Sequence, residues 1–160
     1  MAPMPGEPHD DEDTRRARAE LASTLMRVAD RLRTMPLARL RATAAAVPGS
    51  ALFPPAGRAG RAGNVDETVA AGALRAAQLM ADLATGVERR DAPAPPAAPR
   101  VPRLADVALG DQVEVTGRDL LTAADDLPGS APVWRESRRV PLSESLTAAC
   151  QVLDELRRVL

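Results

Sequence analysis

The sequence predicts an all-α fold, an antiparallel four-helix bundle, and three observations carry that reading. Apolar residues recur at alternating spacings of four and three in several separate segments. The 160-residue chain holds 32 alanines, which let helices pack closely at little side-chain entropy. Isoleucine and tyrosine are absent, and Phe53 and Trp134 are the only large aromatics, a poor supply for the inner faces of a β-sandwich. A short extra helix or a small hairpin is the only addition expected.

The first segment, 1–13, reads as a disordered acidic leader, because Pro3, Pro5 and Pro8 break structure and Asp10 to Asp13 repel one another. The rest, 14–160, reads as one helical-bundle domain with flexible linkers. Asp13 or Thr14 is positioned to cap the first helix, whose stripe is Leu21, Leu25, Val28 and Leu32. Pro36 interrupts it, with Thr34 as a cap for a short restart carrying Leu37 and Leu40. Residues 47–63 hold Pro48, Gly49, Pro54, Pro55 and three further glycines at 57, 60 and 63, the composition of a flexible connector.

Asn64 and Glu67 have the layout of a capping box before the clearest stripe, Val69, Ala73, Ala76, Met80, Leu83 and Val87. The second linker, 92–102, carries five prolines and suits an extended polyproline spacer. Its Pro96 to Pro99 spacing is what such a composition gives without any recognition role. Residues 104–127 permit two readings. Leu109, Val113, Thr116, Leu120, Ala123 and Leu127 keep helical spacing, while Val107 to Val115 also reads as two short runs around Gly110-Asp111, a hairpin. Helix is preferred, because no third strand is available for a hairpin to join. A loop containing Trp134 follows, and a last helix from near Ser143 carries Leu142, Leu146, Ala149, Leu153, Leu156 and Leu160.

All 21 basic residues are arginine, against 22 acids, for a net charge of −1. Heavy use of Ala, Arg, Gly and Pro is the codon signature of a high-GC bacterial genome, and the balanced charge gives no whole-chain field toward nucleic acid or membrane. The single cysteine forbids an internal disulfide and fits a reducing compartment. The acidic N-terminus is the opposite of a signal peptide, and no apolar run approaches the ~18 residues that span a bilayer. The expectation is a soluble, cytoplasmic protein without membrane insertion.

Catalytic parts are scarce. Histidine occurs once, at His9 in the acidic leader, where no fixed geometry is expected. Cys150 lacks a nearby base and reads as a small residue at the core edge. The pairs Asp125-Asp126 and Asp154-Glu155 point in different directions on a helix, and the interior stripes carry no metal ligand. Gly57 to Gly63 lacks the ending of a nucleotide loop. No enzyme activity, cofactor or metal is therefore expected.

The function expected is a non-catalytic accessory, scaffold or regulatory role through protein–protein contacts, with an unknown protein partner or a homo-oligomer. Trp134 is the candidate anchor, rimmed by Arg135, Arg138 and Arg139, since Trp and Arg concentrate at binding hot spots. The alternative is a nucleic-acid-associated protein. From Arg15 to Arg61 ten arginines face only Glu20 and Asp30, a net of +8, and Arg27, Arg31, Arg33, Arg39 and Arg41 would contact phosphate. Pairing of those arginines with the acids of 104–127 is the competing structural explanation.

Overall fold

The computed structural model describes residues 8–45, 50, 52–53 and 68–160. They form five helices, α1 (Pro8–Thr34), α2 (Leu37–Leu40), α3 (Val69–Glu88), α4 (Leu109–Ala124) and α5 (Leu142–Val159). A two-stranded antiparallel sheet, β1 (Pro132–Arg135) and β2 (Arg138–Pro141), separates α4 from α5. The chain is mostly helical, as the apolar periodicity predicts.

The stripes are the core. Leu21, Leu25, Val28 and Leu32 of α1 are buried, as are Val69, Ala73, Ala76, Met80, Leu83 and Val87 of α3 and Leu142, Leu146, Ala149, Leu153 and Leu156 of α5. α1 begins at Pro8, where a missing N–H costs nothing, so 8–13 are helical rather than part of an irregular leader. Residues 1–7 of that leader lie outside the described residues. Thr14 is buried within α1, beyond its first turn, rather than at the cap position. Thr34 does not cap α2 either. Its hydroxyl donates back to the Asp30 carbonyl at 3.0 Å, and Pro36 occupies the cap position. The proposed Asn64–Glu67 box lies outside the described residues; α3 is capped by Thr68, whose Oγ1 accepts from Ala71 N at 3.1 Å.

The connector 47–63 is mostly outside the described residues, but its apolar pair is not a free tether. Leu52 and Phe53 are 0% and 2% exposed. Ser50 Oγ accepts from the N–H groups of Leu52 and Phe53 and donates to Glu155 Oε2 at 2.6 Å, fixing this turn to α5. Arg75 Nε adds a 2.8 Å bond to the Leu52 carbonyl.

Helix directions depart from simple alternation. α4 runs against α1, because Gly110 sits beside Ala29 and Arg33, Gly117 beside Leu25, and Arg18 donates to the Ala124 carbonyl at 2.6 Å. α3 starts at the same end, where Thr43 and Thr68 form an isolated bridge. α3 and α4 pack together and therefore run parallel. α5 runs with α1, since Cys150 lies at Ala17 and Leu160 at Arg31. The antiparallel arrangement expected for every neighbour is thus replaced by antiparallel contacts of α1 with α4 and α3 with α5. The reason is the length of 89–108, which is enough to cross back along α3 before α4 begins. Gln78 holds that crossing by donating to the Pro99 carbonyl and accepting from Val101 N at 2.8 Å.

Within 104–127 a 3-10 turn (Asp106–Ala108) leads into α4, which ends at Ala124, and the hairpin alternative at Val107 to Val115 is not formed. The hairpin lies instead at 132–141, where a loop was expected. Val133 and Val140 pair on its inner face and are buried, and Trp134 pairs with Arg139 on the other. Glu136 takes the positive φ, 55°, that its two-residue turn demands.

Candidate functional site

Trp134 sits where the hairpin meets the C-terminal end of α3. The approach is close: a Cβ on Gly86 would lie 2.0 Å from the Trp134 carbonyl oxygen, so only glycine permits it. The indole Nε1 donates to the Ala92 carbonyl at 3.2 Å, tying the hairpin to the start of the Pro-rich linker. The Arg139 guanidinium stacks 4.5 Å from the ring centroid, a cation–π contact across the two strands.

The other two arginines of the cluster reach toward α5. Arg135 and Arg138 both reach Glu144 Oε1, at 3.0 and 2.6 Å, joining both strands to the first turn of α5. Glu144 also favours that helix N-terminus through its charge. The structure thus places Trp134, Arg135, Arg138 and Arg139 on one hairpin, with the indole bonded to Ala92 and Arg135 and Arg138 paired with Glu144.

Trp134 and Arg135 line a groove of about 500 Å³ between α3 and α5. Leu79, Leu83, Ala148 and Val152 supply its apolar surface, and Asp82, Glu136 and Glu155 its acidic groups. Sequence reasoning missed Glu144, Leu79 and Val152. Glu144 had a signal, an acid in a helix first turn close to three arginines. Leu79 and Val152 sit beside the buried stripes, and their convergence depends on tertiary packing.

The arginines proposed for nucleic acid are spread differently. Arg33 donates Nε to Asp111 Oδ1 at 2.8 Å and reaches Asp30 and Glu114 as well. Arg41 Nε bonds Asp106 Oδ2 at 2.9 Å. Both therefore pair with acids of the 104–127 segment. Arg27 bonds Ser23 and Thr24 on its own helix, Arg31 reaches the Leu160 carbonyl at 3.3 Å, and Arg39 is exposed on α2. Of the five, Arg33 and Arg41 are thus paired with acids and are not free cations.

Arg33 holds the Glu114 carboxyl below the usual carboxylate range by direct hydrogen bonding, with Arg118 adding to the effect. The Arg33 guanidinium is raised in turn. Burial pushes the Cys150 thiol up to about 11, with Glu20 and Asp154 adding to it, which disfavours the nucleophilic thiolate. Among the described residues no cluster of His, Cys, Asp and Glu is placed to hold a metal ion. No described helix is long and apolar enough to cross a membrane. Comparison with protein-family models, curated proteins and solved structures finds no match for this chain.

Proposed function

We propose that the protein is a non-catalytic cytoplasmic accessory or regulatory factor that binds a protein partner in the Trp134 groove. The observation that carries this reading is the state of the indole. Its N–H is already bonded to Ala92 and one face is held by Arg139, while the ring lines an open groove with an apolar floor. An aromatic ring fixed before binding loses little entropy on docking, which is the property of an anchor. The same contacts make Trp134 a clasp between hairpin and linker, so its removal disturbs stability as well as binding.

Val152 tests the groove without removing that clasp. Capture from the native host by the full chain should recover a partner that Val152→Glu no longer binds, with melting temperature within a few degrees of wild type. Emission of the single tryptophan should turn blue when the captured partner is added. Unchanged capture and unchanged emission would remove the groove from consideration. Retention on heparin that Arg27→Ala and Arg39→Ala abolish would favour the nucleic-acid reading instead.

A further inference from the structure

The flank formed by the 99–104 crossing and the outer side of α4 carries apolar surface that the Trp134 groove does not use. Leu104, Val107 and Val115 are 50%, 65% and 57% exposed, whereas Leu109, Val113 and Leu120 on the inner side of α4 are buried. Leu104 and Val115 line a second groove of about 550 Å³, which shares no lining residue with the first. Val107 stands on the adjoining 3-10 turn.

Two further features show that this surface is unfinished. Gln112 lines the groove and is only 8% exposed; its Nε2 donates to the Pro102 carbonyl at 2.6 Å, but its Oε1 is buried without a partner. A buried acceptor lacking a donor carries a desolvation cost. The charged rims are also unpaired. Arg100 on the linker wall and Asp119 on the α4 wall are exposed, and neither forms an ion pair among the described residues. On the same helix Glu114 is paired with Arg33 and Arg118, and Asp111 with Arg33.

We propose that a second copy of this chain covers this face, forming a two-fold dimer with α4 and the 99–104 crossing at its centre. One wall carries the cation and the other the anion. A two-fold axis along the groove exchanges the walls, so each Arg100 meets the other copy's Asp119. This self-complementarity is what an isologous interface requires. Apolar Leu104, Val107 and Val115 then fall inside a charged rim, the usual anatomy of a protein interface.

Sedimentation of the full chain over a range of concentrations tests the assignment. Wild type should show a species of twice the 16.9 kDa chain mass that dissociates on dilution. Arg100→Asp and Asp119→Arg should each weaken association by about tenfold or more, because each places like charges opposite one another twice. Mixing the two variants restores both opposite-charge pairs, so the equimolar mixture should recover the dimer, an outcome misfolded chains do not give. Val115→Glu should abolish it. A wild type that stays monomeric throughout, a dimer indifferent to all three substitutions, or single variants that fail to recover on mixing would each overturn the proposal. None of these outcomes bears on partner binding at Trp134.

Discussion

Glu114 shows how one side chain can hold two helices in register. It sits on α4 with only 11% of its side chain exposed, accepting from Arg33 of α1 and Arg118 of its own helix. Gly110, one turn earlier, lets α1 come close enough for that contact: a Cβ there would lie 2.7 Å from both the Ala29 carbonyl and the Arg33 side chain. Since Glu114 titrates lower in the folded chain than in the unfolded one, its contribution is present above the unfolded value and fades as pH falls through the depressed one. Glu114→Gln should therefore lower the melting temperature at neutral pH, with the gap to wild type closing as pH falls through and below the ordinary carboxylate range. Melting curves across that range check it. A gap independent of pH would mean that the carboxylate charge contributes nothing.

At the scale of elements, the hairpin is clamped by backbone proximity. The Trp134 carbonyl is fixed, so an added methyl on Gly86 cannot be accommodated by rotating a side chain. Gly86→Ala should cost about 1–3 kcal/mol and shift Trp134 emission, because β1 must move off α3. Gly72→Ala is the control: its Cβ would meet the Phe53 ring at 2.3 Å, and a ring can tilt where a backbone cannot. Equal losses at both positions in thermal melts would refute the clamp. The helices themselves were legible because a stripe such as Leu142, Leu146, Ala149, Leu153 and Leu156 repeats a physical period over several turns. The hairpin was not. Each strand has four residues, Pro132 and Pro141 sit at its ends, only Val133 and Val140 mark its inner face, and its turn carries Glu136 at positive φ rather than glycine or asparagine. For the candidate site, the Trp134 cluster could be read from residue type and proximity in sequence. Its satisfaction by Glu144 and Ala92 could not, since both contacts depend on where α5 and the linker pack.

At the scale of the whole molecule, connectors contribute to the core as well as joining helices. A chain whose commonest apolar residue is alanine has little bulk for the space between helices, and Phe53 supplies some of it from outside any helix. Its ring lies against Gly72 of α3, while Ser50 binds Glu155 of α5, so this short turn bridges two helices. Composition placed 47–63 among tethers because Pro and Gly dominate it, and composition is blind to a single dipeptide, Leu52-Phe53, that packs. Phe53→Ala should accordingly cost ~3–5 kcal/mol, the range for emptying a buried aromatic site. For a chain of this size that corresponds to a fall in melting temperature of roughly 6–20 °C. Far-UV circular dichroism should retain its helical shape at low temperature, because the stripes of α1, α3 and α5 remain intact. A change below about 0.5 kcal/mol is what an exposed position gives, and it would return 47–63 to the status of a plain tether.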